Sequence, residues 1–143
     1  MQQVARSLYF ENNVGRIWEE PHGFLRLEYR AGARELLQFR ALLTHMAQAL
    51  ARRRWEKALV DQREMAPFSP AEHDWMTNEW LPRAVKESGY RYGAVLVAHN
   101  VFARLAMTQF VMATRDLPHV YRTFEKEDEA VTWLASPTTL LHH

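Results

Sequence analysis

The chain has 143 residues, a formal net charge of +1, 48% apolar and 24% charged residues, and no cysteine. That length suits one domain, residues 1–143, with its ordered part over about 6–135. The near-neutral charge gives no pull towards nucleic acid or an acidic membrane. The missing cysteines exclude disulfides, thiol catalysis and thiolate metal sites.

"MQQVARSLYF" lacks the apolar centre of a secretory signal, and "AVLVA" is too short to cross a bilayer. The cytoplasm is the expected compartment, with no membrane span, no nucleic-acid partner and no cofactor. The final Leu141-His142-His143 is left out of metal-binding arguments.

In chain order, "RSLYFEN" and "GRIWEE" read as strands joined by the turn-prone "NNVG". "FLRLEYR" follows, with Leu25, Leu27 and Tyr29 alternating with Arg26, Glu28 and Arg30. A period of two predicts a strand with one wet face, as in an antiparallel meander. From Ala33 the period changes. Leu36, Phe39, Leu43, Met46 and Leu50 form one stripe of a long helix, and Arg52, Arg53 and Arg54 fall at its cation-favouring C-terminus, read as solvated.

"KALVD" and "RYGAVLVAH" are short continuous apolar runs, expected of parallel strands covered on both faces by helices. Between them, Ser69-Pro70-Ala71-Glu72 reads as a helix start. Serine caps it, proline fits the first turn, and Glu72 completes a capping box. Phe68 is placed to staple against this helix, although His73 would be a poor partner. Pro82 predicts a break near Trp80 and Leu81, then a second segment that Gly89 ends. "NVFARLAMTQFVMATRD" is a helix capped by Asn100, "HVYRTF" a last strand, and "KEDEAVTWLAS" a closing helix. The fold class is α/β: a single domain with an N-terminal β-meander, then alternating helices and mostly parallel strands in a mixed sheet.

The meander, "KALVDQREM", "LPRAVKESGYRYGAVLVAHNVFARLA" and "EKEDEAVTWL" resemble bacterial anti-sigma-factor antagonists, the STAS or SpoIIAA-like superfamily with its STAS/SEC14 relatives. The resemblance runs from Leu8 to Ala135. It implies a signalling module that docks onto a protein partner. In signalling members a phosphoacceptor serine follows an aspartate at the start of this helix and precedes small residues. Here Phe68 and Pro70 flank Ser69, so the resemblance implies a divergent member without the phosphoserine switch, and only Asp61 resembles the family's strand-ending acid.

Three functions follow. The first is a non-catalytic interaction module presenting the Ser69 helix, with Arg63, Phe68, His73 and Asp74 at the rim. The second, suggested by the SEC14-type resemblance, is a site for a small apolar or lipid-like ligand lined by Trp75, Trp80, Phe102, Met107 and Phe110. The third is an enzyme using Asp61, His73 and His99 at the carboxyl ends of the strands, with Asn100 beside them. No H-E-x-x-H, Gly-rich phosphate loop or G-x-S-x-G supports the third, so neither a catalytic nor a metal set is assigned. Homodimerisation through exposed apolar residues of the meander is compatible with each.

Overall fold

The computed structural model describes residues 5–137; Leu141-His142-His143 lies outside them. Its elements are β1 (Ser7–Glu11), β2 (Gly15–Glu19), β3 (Leu25–Tyr29), α1 (Leu36–Arg53), β4 (Lys57–Asp61), α2 (Pro70–Trp75), α3 (Leu81–Ser88), β5 (Tyr92–Leu96), α4 (Val101–Ala113), β6 (Val120–Phe124) and α5 (Glu127–Ala135). The six strands lie in sequence order, β1-β2-β3-β4-β5-β6. The first three are antiparallel, and β3 to β6 are parallel. The register of β1 slips between Leu8 and Phe10, so Tyr9 forms a bulge at one edge of the sheet. No helix among the described residues is long and apolar enough to cross a membrane.

Alternation along the strands separates two apolar layers. Leu25, Leu27, Ala58, Val60 and Val95 face α1, α4 and the stretch from α2 to α3, whose Phe39, Met46, Trp80, Met107 and Phe110 complete the larger core. Leu59, Tyr92, Ala94, Leu96 and Phe124 face the other way, against Ala130, Trp133 and Leu134 of α5. The α1 stripe buries Phe39, Leu43, Met46 and Leu50 as its spacing predicts, together with Leu42 and Ala49. Leu36 is only half-buried.

Two expectations change. The arginines ending α1 are not simply solvated: Arg52 and Arg53 both donate to the buried Glu19 carboxylate of β2, at 3.1 and 2.7 Å. Arg54 caps the helix in the left-handed region, at φ 57°. Nor does Pro82 break the helix. The chain stays helical from α2 to α3 through a π-helical turn, Met76–Trp80. Proline cannot donate within a helix and crowds the preceding turn, and a wider turn relieves that crowding. It also lets Met76, Trp80 and Leu81 all reach the core. Gly89 ends α3 at φ 78°.

Gly93, the second residue of β5, is required by its surroundings. A β-carbon there would lie 2.6 Å from the Tyr90 hydroxyl and closer still to the Tyr121 ring. Glycine inside a strand marks such a close approach. We expect Gly93→Ala to destabilise the protein by about 1–3 kcal/mol through overpacking. Urea denaturation checks this, and an unchanged midpoint would mean that both tyrosines move aside freely.

Candidate functional site

Ser69 is a helix cap. Its Oγ accepts from the Glu72 backbone N–H at 3.1 Å, and its own N–H donates to Glu72 Oε1 at 2.8 Å, closing the capping box. The Glu72 carboxylate is also gripped from α1's approach by Arg34, through Nε at 2.8 Å and Nη2 at 2.8 Å. Both side chains of that pair are almost fully buried. The remaining Arg34 donors reach the carbonyls of Ala66 and Pro67, so one guanidinium ties the loop before α2 to the helix start. Phe68 turns into the core against Tyr29 and Phe39, with ring centroids 6.2 and 5.9 Å away, rather than against His73. We expect Ser69→Ala to cost about 1 kcal/mol and Ser69→Asp to be tolerated, as at other caps. Urea midpoints of the two variants separate a cap from a residue with no structural role.

The acid and imidazoles do not assemble. Asp61 faces α5, where its carboxylate accepts from Arg63 Nε at 3.0 Å, Arg63 Nη2 at 2.8 Å and the Arg63 N–H at 3.1 Å. His73 lies on the opposite layer with its ring edge-on to Phe110, 6.5 Å between centroids. The exposed His99 donates its backbone N–H to the Arg63 carbonyl, and Asn100 Oδ1 caps α4 through the N–H groups of Phe102 and Ala103. Asp74 is exposed. Among the described residues no three His, Asp or Glu side chains are grouped to hold a metal ion.

The charged face of β3, expected to be wet, is instead a covered ion network. Arg26 is 5% exposed at its side chain. It donates to Glu28 at 2.8 Å, to Glu127 of α5 at 2.8 Å and to Asp61 at 3.4 Å. Trp18 Nε1 adds a bond to Glu28 at 2.9 Å. Hydrogen bonding to Arg26 holds the Glu127 carboxyl below its usual range. For Glu28 and Asp61, burial pushes the carboxyl up, but bonds from Arg26 and Trp18 in one case and from Arg63 in the other leave both below their ordinary values. A carboxylate lowered on folding stabilises above its unfolded pKa of about 4, and that stability fades as pH falls below it. Arg26→Met should cost about 3 kcal/mol at pH 7 by leaving Glu28 without a cation, and Asp61 and Glu127 with Arg63 alone. Their pKa values then rise, so the variant loses stability as pH rises and its deficit narrows on acidification. Urea midpoints of both proteins between pH 7 and pH 4 test this; a pH-independent deficit would contradict it.

The apolar candidates divide. Trp80 is buried and donates Nε1 to the Leu43 carbonyl at 2.7 Å. Together with Met107 and Phe110 it borders a small interior void of about 20 Å³. Trp75 is half-buried outside this group, edge-on to Phe39 with Arg40 over its ring at 5.5 Å. Phe102 is 68% exposed and lines no interior space. It belongs to a bare apolar strip on α4 with Val101, Leu105 and Met112, each more than half exposed. Of the meander's large apolar residues only Leu8 is comparably open among the described residues. Beside α4, between it and the last two strands, runs a groove of about 460 Å³ whose apolar lining, Val95, Val97, Val111 and Met112 among others, is flanked by Arg104 and Arg122.

Three groups carry weight without having been predicted as site residues: the Arg26 network, the Arg34–Glu72 clamp and the buried phenols of Tyr29, Tyr90 and Tyr121. Burial pushes all three phenols up, so they remain neutral hydrogen-bonding groups. Comparison with models of known protein families, with curated proteins and with solved structures gives no match.

Proposed function

We propose that the chain is a non-catalytic regulatory module of STAS type that binds a partner protein through α4. The observation behind this reading is the bare strip of Val101, Phe102, Leu105 and Met112 on a helix whose other side is core. Apolar groups gathered on one face mark an interaction surface where scattered ones do not. Between His99 and Phe124 the only charged residues are Arg104, Arg115, Asp116 and Arg122. A second copy would bring those arginines against themselves. An amphipathic helix of another protein, with apolar residues at helical spacing flanked by Asp or Glu, complements both the strip and its charge.

Ser69 acts in this reading as structure rather than as a switch. A phosphate gains its effect by drawing guanidinium donors. The neighbouring Arg34 already spends its donors on Glu72, Ala66 and Pro67.

The test places a photocrosslinker at the exposed Gln109, as Gln109→p-benzoylphenylalanine, in cells of the protein's own source, and sequences the crosslinked peptide. An acidic, helix-compatible segment of another protein is expected, with crosslinking lost in Leu105→Asp and weakened in Arg104→Glu. A peptide from the chain itself, a basic segment, or no crosslink would overturn the proposal.

A further inference from the structure

The interior void beneath α4 has an unusual lining for a core. It is bordered by Tyr29, Tyr90, Tyr121 and Gln62 among apolar side chains, and no lysine, arginine, aspartate or glutamate faces it. Tyr90 is 1% exposed, yet its hydroxyl has no partner in hydrogen-bonding geometry. The Tyr90 and Tyr121 phenols lie near enough to influence each other's titration without that geometry being met. A buried hydroxyl left unsatisfied bears its full desolvation cost. Glycine at position 93 is what lets both rings approach the strand so closely.

The void and the surface groove share a wall. Gln62, Met107 and Tyr121 border both. Within that wall Met107 is tied to Gln62 by one weak bond, from Gln62 Nε2 to Met107 Sδ at 3.2 Å. Methionine has three rotatable side-chain bonds and a weakly accepting sulfur, so it swings at little cost. With Met107 displaced, the 20 Å³ void becomes the inner end of the 460 Å³ groove. A groove of that volume lies within the range of about 300–1,000 Å³ found for small-molecule pockets.

We propose that this space binds a small uncharged amphiphile, whose oxygen bridges the Tyr90 and Tyr121 hydroxyls while its apolar body passes Met107 into the groove. The oxygen satisfies the stranded phenol. No cation faces the void, so an uncharged oxygen is favoured over a carboxylate at that end, an unpaired buried charge being far more costly; Arg104 and Arg122 border only the groove. The inference goes beyond the partner surface: it uses the inner side of α4, and it meets that surface only where Arg104 and Met112 border the groove.

The experiment titrates the protein, labelled with carbon-13 at its methionine methyl groups, with 1-octanol, octanoate and octane. Octanol should shift the Met107 methyl resonance saturably, and octanoate should not. In the near-isosteric Tyr90→Phe, octanol should bind at least tenfold more weakly, while the response to octane stays the same. Leu105→Asp should leave the octanol titration unchanged, which separates failure of this site from failure of the partner surface. Equal binding of octanol and octane, an unmoved Met107, or a crystal of the octanol-soaked protein showing only a single water between the tyrosines would overturn the proposal.

Discussion

Sequential strand order constrains everything else in this molecule. When β3, β4, β5 and β6 are laid side by side in one direction, crossovers of the single hand that a twisted sheet accepts put every connecting helix on the same face. That face receives α1, the α2–α3 rod and α4, and holds the larger core. The other face is left to whatever follows β6. Among the described residues that is α5, whose nine residues cover β4, β5 and β6.

The unequal cover explains where the charges go. Beyond the reach of α5's apolar side, β3 presents Arg26 and Glu28, and the helix supplies Glu127 to meet them. One guanidinium thereby connects β3, β4 and the start of α5. On the crowded face the shortage is of another kind. The helices compete for the sheet, and α4, over its last two strands, buries Ala103, Met107 and Phe110 while its outer side stays bare. The binding surfaces proposed above are both products of this arrangement.

What the sequence disclosed was what is local. The cap at Ser69 depends on residues three apart, and the succession of strands and helices could be read from period and length. Arg26 was misread because alternation assigns a polar residue to the solvent, whereas its cover comes from Glu127, 101 positions away. The Arg34–Glu72 clamp spans 38 positions and leaves no local pattern. Pro82 suggested a break because the rule for proline assumes an α-helical turn before it, and the π-turn removes that assumption. In α4 nearly every residue is apolar, so periodicity cannot say which side faces inward, and Phe102 was assigned to a pocket it does not line. Nothing local set Tyr90 and Tyr121 apart. A hint lay in Gly93, the one glycine inside an otherwise continuous apolar strand.

The slipped register at Tyr9 bears on how this sheet ends. An open sheet exposes a row of unsatisfied amides and carbonyls along each outermost strand, and such rows template the addition of foreign chains. On one margin the bulge interrupts the regular register that an incoming strand would need. On the opposite margin β6 is only five residues long, follows Pro118 closely and carries Arg122 in its centre. Short length, proline and charge are the usual deterrents to growth by lateral pairing. A sheet that is terminated at both margins leaves recognition to helices, and keeps a protein with a bare apolar strip from polymerising through its strands.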